Sequence, residues 1–140
     1  MRYLEKINNS LKKLMKNNKD LYLIGEDVLD PYGGAFKVTK EISSLYPSRV
    51  ITTPISEAAI AGIACGMSMN GKKVILEIMF GDFLSLTFDQ ILNHISKFQW
   101  LFNNIKMPLI IRTPMGGYRG YGATHSQSIE KHFCGIPNLN

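Results

Sequence analysis

Apolar and polar positions alternate with a helical period at the start of the chain. Between about Tyr3 and Asn17, large apolar residues recur every three or four positions, with polar residues between them. These apolar positions are Leu4, Ile7, Leu11 and Leu14. The spacing predicts an amphipathic helix that covers one face of a larger structure.

Four short apolar segments follow, each continuous rather than alternating. Such segments are typical of strands that are covered on both faces. They are Leu21–Ile24, Arg49–Thr52, Lys73–Met79 and Pro108–Arg112. Three helices are predicted between them, from about Phe36 to Leu45, between Pro54 and Gly71, and from about Leu84 to Phe102. The alternation predicts an α/β fold, a doubly wound, mainly parallel sheet with helices on both faces.

The helix between the second and third strands carries an acid at its start. Pro54 disfavours helical geometry in the residue before it, so the helix should begin afterwards. Ser56 is then a candidate N-cap, Glu57 lies in the first turn, and Gly71 is a candidate C-cap. As a helix-end charge alone, Glu57 would contribute about 0.3–1 kcal/mol. Small residues fill much of this helix, which would allow a backbone or a flat ligand to approach it closely.

Several polar and aromatic residues follow the ends of the predicted strands. In open parallel sheets, ligands bind outside the carboxyl ends of the strands. A single cleft there would gather Glu26, Glu57, Met79, Phe83 and His125.

Two further segments have features of ligand sites. Gly81-Asp82-Phe83 resembles part of a diphosphate and magnesium site but lacks its second glycine. The glycine-rich segment 115–123 lacks the Lys-Ser/Thr pair of a P-loop. It is either a surface loop or a flexible loop over a site, with Arg119 meeting an anionic substrate. His125, directly after it, is either an exposed histidine or a catalytic one.

Composition narrows the choice of function. The 140 residues, 45% of them hydrophobic, suit one compact ordered domain. The net charge of +5 is concentrated in lysines of the first helix without interleaved aromatic residues, so we expect a solvated face and no nucleic-acid partner.

No apolar run suits a membrane span or a secretory signal, which favours a cytoplasmic protein. Cys65 and Cys134 form no metal-ligand pattern.

Six sequence motifs, taken in order, resemble one family. They are LIGEDV at 23–28, GGAFKVTK at 33–40, TPISEAAIAGIACGMSMNG at 53–71, FDQILN at 88–93, PLIIRTPMGG at 108–117 and HSQS at 125–128. With them the chain resembles, over essentially all its length, the N-terminal half of the beta subunit of the thiamine-diphosphate-dependent decarboxylase component of 2-oxo acid dehydrogenase complexes. Pyruvate, branched-chain 2-oxo acid and acetoin dehydrogenases share this subunit.

The resemblance implies a transketolase-type pyrimidine-binding domain over residues 1–140. It implies that Glu57 hydrogen-bonds a ring nitrogen of the cofactor's aminopyrimidine and that Met79 and Phe83 pack against that ring. It also implies that His125 is an active-site histidine. Glu26 would line the tunnel between the two active sites. A weaker correspondence is that of Leu109, whose carbonyl would face a structural potassium ion.

The resemblance also implies a cofactor and partners. Thiamine diphosphate would bind between this chain and an alpha-type subunit, which would carry the diphosphate and magnesium site. A lipoyl-bearing acyltransferase would accept the acyl group. The family subunit is longer, so we expect a fragment or truncated product, incomplete at its C-terminal end, with little turnover alone. A transketolase-like ketol transferase half-chain and a non-catalytic assembly subunit are the alternatives.

Self-association, or pairing with an alpha-type subunit, is expected on separate grounds. The predicted helix that ends near Phe102 is more apolar than one small domain needs, and large apolar residues crowd its end. These residues are Phe98, Trp100, Leu101 and Phe102. Exposed apolar patches of this kind mark interfaces.

Overall fold

The computed structural model describes residues 2–103 and 105–140, which form a four-stranded sheet. The strands are β1 (Leu21–Gly25), β2 (Val50–Thr52), β3 (Lys73–Glu77) and β4 (Leu109–Arg112). Their order is β2-β1-β3-β4, and every pairing is parallel. The parallel sheet predicted from the continuous apolar segments is therefore confirmed. None of the helices in the described residues is both long and apolar enough to cross a membrane.

In the described residues, five α-helices connect and cover the strands. They are α1 (Tyr3–Asn17), α2 (Ile42–Leu45), α3 (Glu57–Met69), α4 (Ser96–Leu101) and α5 (Gly122–His125). Short 3-10 turns occur at Ala35–Lys37, Gly81–Thr87 and Glu130–His132, and Gln90–Ile95 is a π-helical segment. The first predicted helix is confirmed at both ends.

Two hydrophobic cores lie on opposite faces of the sheet, because alternate side chains of each strand point to opposite sides. On one face, Ile75 packs in a buried cluster with Met15 of α1. On the other, Val74 and Leu76 pack in a cluster with Ala61 of α3. The helices therefore cover both faces, as the sequence predicts.

The prediction of one helix from Phe36 to Leu45 is wrong over its first half, because only Ile42–Leu45 is α-helical. Phe36 and Glu41 have φ values of 58° and 69°, which interrupt helical geometry. Side chains bind the local backbone instead. The Asn8 side-chain amide donates to the carbonyls of residues 38 and 40, and the Glu41 N–H donates to Asp30 at 2.7 Å. These bonds compete with the helical ladder, so only α2 forms.

The long helix predicted from about Leu84 to Phe102 is also not one continuous α-helix. It is a 3-10 turn, then a π-helical segment, then α4. Two side-chain hydroxyl groups donate hydrogen bonds to backbone carbonyls within this segment. The Thr87 hydroxyl donates to the Leu84 carbonyl and the Ser96 hydroxyl donates to the Leu92 carbonyl, each at 2.8 Å. Such back-bonding and π-bulges disturb the regular hydrogen-bond pattern.

Candidate active site

Glu57 opens α3 at the carboxyl edge of the sheet, where the sequence predicts it. Ser56 occupies the N-cap position, but its hydroxyl makes no capping bond, so that part of the prediction is wrong. Instead, the Ser56 backbone N–H donates to the Glu26 carboxylate at 3.2 Å. Glu57 is only 6% exposed, and no described residue donates a hydrogen bond to its carboxylate. The first turn of α3 thus holds a largely buried acid.

Glu26 is a second buried acid at the same edge, directly after β1. Burial raises the pKa of Glu26, and the charge of Glu57 raises it further. The bond from Ser56 opposes this change by stabilising the anion. Glu26 and Glu57 therefore interact electrostatically, which places two of the predicted site residues together.

Glu77 and Arg112 form a buried ion pair that the sequence analysis did not identify. They end β3 and β4 and lie opposite each other in the parallel register. Arg112 donates to one oxygen of Glu77, while the other oxygen has no partner among the described residues. Burial raises the pKa of Glu77 to about 7, although the Arg112 charge acts in the opposite direction. The sequence does contain a pattern that indicates this pair: Glu77 lies near the end of the third apolar segment and Arg112 lies at the end of the fourth.

His125 is held by a carboxylate and two aromatic rings. Its Nδ1 lies 3.0 and 3.1 Å from the two carboxylate oxygens of Asp82. The Phe80 ring stacks on the imidazole, with centroids 4.3 Å apart and planes 10° apart. Phe83 meets the imidazole edge-on at 5.3 Å. The structure therefore joins two predicted site residues, His125 and Phe83, and adds Asp82, which the sequence motifs do not predict as a site residue.

Backbone bonds bring the His125 segment to the turn after β3. The Gly81 N–H donates to the Pro114 carbonyl at 2.9 Å. The Gly116 N–H donates to the Gln127 carbonyl at 3.2 Å, which closes the intervening loop. A Cβ atom on Gly81 would lie 2.6 Å from the Cβ of Met115. The absence of a side chain at position 81 therefore permits this close approach.

A cleft of about 1060 Å³ opens beside His125. Its walls come from the start of α1, the turn at 36–37, Phe80 and the glycine-rich loop. Four arginine and lysine side chains line it, and none of the described lining residues is an aspartate or glutamate. These basic residues are Arg2, Lys37, Arg112 and Arg119. Because Arg112 is paired with Glu77, the other three basic residues are the ones that would favour an anionic ligand in the cleft.

Among the residues of the predicted cleft, His125 alone lines the cavity described above. Glu57, Met79 and Phe83 are not among the residues that line the space beside His125. Met79 and Phe83 are half-buried, and Phe83 packs against the core that α3 also covers. Glu57 follows β2 and His125 follows β4, so both lie beyond the carboxyl ends of strands. Leu109 begins β4 at the opposite edge, away from this site.

The described residues contain no group of three or more His, Cys, Asp or Glu side chains placed to hold a metal ion. Cys65 is buried and Cys134 is exposed, and both are free thiols. The described part of the chain therefore presents acids, a histidine and aromatic rings for chemistry.

Comparison with known proteins identifies relatives of the beta-subunit type. The chain is 41% identical over 127 residues to the pyruvate dehydrogenase E1 component subunit beta of Gracilaria tenuistipitata var. liui, covering 89% of this chain and 39% of that protein. It is 36% identical to the 2-oxoisovalerate dehydrogenase subunit beta of Bacillus subtilis (strain 168), covering 99% of this chain and 43% of that protein. The chain spans about two-fifths of the length of these relatives.

A solved structure and a family model agree with these matches. A split gene transketolase, described as an inactive beta4 tetramer, shares the fold with a TM-score of 0.61 at 21% identity, over 80% of this chain and 33% of that one. The model for the transketolase pyrimidine-binding domain matches residues 1–140. The resemblance inferred from the motifs is thereby confirmed, and the chain belongs to the transketolase pyrimidine-binding domain family.

Proposed function

We propose that this chain supplies the aminopyrimidine-binding half of a thiamine-diphosphate-dependent 2-oxo acid dehydrogenase active site. In this proposal residues 1–140 act as the pyrimidine-binding domain of a beta-type subunit. The observation that carries the proposal is the position of Glu57, a largely buried acid that begins α3 beside a second acid, Glu26, at the carboxyl ends of the strands. The relatives with beta-subunit names support the same assignment.

The surroundings of Glu57 suit a flat heterocycle with a ring nitrogen. A ring nitrogen that carries or shares a proton could hydrogen-bond the Glu57 carboxyl group, which accepts when ionised and donates when protonated. Ala58 and Ala59, the next two residues of α3, are exposed and small. They would let a ring approach the helix without steric conflict. Phe83 and Met79 would complete the contact as half-buried apolar side chains.

The proposed roles follow from the chemistry of each side chain. When bound, thiamine diphosphate supplies an electron sink for decarboxylation of the 2-oxo acid. Glu57 would hold a proton shared with the pyrimidine nitrogen, as a general acid–base group. His125 would exchange a proton with the substrate or the lipoyl acceptor. The basic cleft beside His125 would attract the carboxylate of the 2-oxo acid.

The diphosphate and magnesium are assigned to an alpha-type partner. An exposed apolar patch at the end of α4 would provide the contact with that partner or with a second beta-type chain. Trp100 is 73% exposed, and Leu101 and Phe102 are also exposed. Removal of such residues from water favours association, by about 25 cal/mol for each Å² of apolar surface. A lipoyl-bearing acyltransferase would take the product.

The first test is turnover of a panel of 2-oxo acids by this chain with and without an alpha-type subunit. We expect turnover only with the partner. Glu57→Gln should lower turnover by a factor on the order of 10²–10⁴, because amide replaces the acid. Glu5→Gln is a matched control, since Glu5 also lies in the first turn of a helix but is exposed. It should leave turnover unchanged. Full turnover in Glu57→Gln would contradict the proposal, and pairing without turnover of any 2-oxo acid would favour a non-catalytic assembly role.

A further inference from the structure

We infer that Asp82 is a positioning residue that fixes the tautomer and orientation of His125. This inference deepens the proposed function, because it assigns a role to a residue that acts through His125. It rests on the contacts of one carboxylate, one imidazole and the two aromatic rings beside them.

The carboxylate of Asp82 determines which imidazole nitrogen carries the proton. Both of its oxygens lie within 3.1 Å of His125 Nδ1. An ionised carboxylate can only accept hydrogen bonds, so Nδ1 must donate. In the neutral ring the proton is therefore on Nδ1, which leaves a lone pair on Nε2. A histidine in this form can accept a proton through Nε2, as a general base requires.

The aromatic contacts hold the plane of the same ring. Phe80 stacks on one face of the imidazole, nearly parallel, and Phe83 meets it edge-on. Rotation of the ring about its side-chain bonds would break the stacking as well as the contacts with Asp82. The His125 side chain is 30% exposed and the Asp82 side chain is 13% exposed, so His125 is the more accessible of the two to solvent. The acid is on the protected side, and the histidine lines the cleft.

The pairing differs from an ordinary surface ion pair. In an exposed ion pair, two long side chains keep much of their freedom, and the pair contributes about 0–1 kcal/mol to the stability of the protein. Here both partners are short and partly buried, and they come from segments joined by the Gly81–Pro114 backbone bond. The arrangement matches the general pattern in which a catalytic histidine is oriented by a third group.

Tautomer measurement tests the inference without any cofactor or partner. In the full chain labelled with ¹⁵N-histidine, long-range ¹H–¹⁵N spectra at pH 9 should show His125 with its proton on Nδ1. Asp82→Ala should shift His125 toward the Nε2-protonated form. Asp89→Asn is a charge-matched control, because Asp89 is an exposed acid on the following segment. It should leave the His125 signals unchanged. Unchanged His94 and His132 signals in Asp82→Ala would show that the variant is folded.

Kinetics of the complex with an alpha-type subunit supply the second readout. Asp82→Ala should lower kcat by about 10- to 100-fold, the effect typical of a misplaced catalytic group, and change KM by less than about threefold. In the double variant with His125→Ala, Asp82→Ala should lower kcat almost no further than His125→Ala does alone. The effects of substitutions at residues that act as a unit are not additive. Asp82→Glu should restore part of the activity if its longer side chain reaches Nδ1.

Two outcomes would overturn the inference. One is an Nε2-protonated His125 in the parent chain, and the other is a multiplicative loss of kcat in the double variant. Neither outcome depends on Glu57. Failure of the broader proposal would appear separately, as full turnover in Glu57→Gln while the His125 tautomer remained as inferred.

Discussion

Glu77→Gln should remove a pH dependence of stability that originates in the buried pair at the ends of β3 and β4. Glu77 is 1% exposed, and burial raises its pKa from an ordinary value of 4.5 to about 7 despite the Arg112 charge. The folded protein therefore binds more protons than the unfolded chain between these two pH values. Because the folded pKa is the higher one, the contribution of Glu77 is fully present below pH 4.5 and is lost as pH rises to about 7.

The size of this effect follows from the same two pKa values. The interval from 4.5 to about 7, at about 1.36 kcal/mol for each pH unit, corresponds to about 3 kcal/mol of unfolding free energy. Glutamine resembles the protonated side chain, can still accept a bond from Arg112, and does not ionise. Between pH 4.5 and pH 8 the parent should thus lose about 3 kcal/mol more stability than Glu77→Gln.

Urea unfolding across this pH range measures the difference directly. Comparing the two proteins removes contributions that they share, including that of Glu26, whose pKa is also raised. Asp30 does not interfere, because its pKa is lowered to about 2 and it titrates below the range. Glu130→Gln, at an exposed acid, serves as the control and should follow the parent. Parallel curves for the parent and Glu77→Gln would refute the reasoning.

Three further substitutions test the packing and the surface. Gly81→Ala should cost about 1–3 kcal/mol by overpacking against Met115 and should weaken the Asp82–His125 contact, as measured by urea unfolding and by His125 NMR signals. Arg49→Ala should cost about 1–3 kcal/mol, because Arg49 donates to two carbonyls at the end of α1 at 3.0 and 2.7 Å. Trp100→Ser should weaken association in sedimentation experiments without lowering the unfolding free energy, since Trp100 is exposed.

The sheet was predictable because its strands are short, apolar and continuous. A strand such as β3 is buried along most of its length, and few other structures accommodate such a segment between two helical patterns. Glu57 was placed correctly at the start of α3 from the preceding proline and the candidate cap. Local sequence was therefore sufficient to predict that Glu57 begins α3.

The irregular segments were not predictable from local pattern. Val38, Ile42 and Leu45 recur at helical spacing, but the side chain of Asn8, which is distant in sequence, binds the backbone of the segment before α2. The role of Asp82 was missed for a similar reason. It lies 43 positions from His125, and no local signal connects a turn after β3 with a histidine beyond the glycine-rich loop. Such contacts depend on tertiary structure, which overrides propensity.

The most direct test of the account concerns proton exchange at the thiazolium carbon of thiamine diphosphate bound between this chain and an alpha-type subunit. Proton–deuterium exchange can be followed by NMR after acid quenching, with cofactor binding measured separately by calorimetry. If Glu57 shares a proton with the pyrimidine, Glu57→Gln should slow exchange by a factor on the order of 10²–10⁴, while Glu5→Gln exchanges as fast as the parent. Exchange in Glu57→Gln at the parent rate, with the cofactor fully bound, would contradict the central claim.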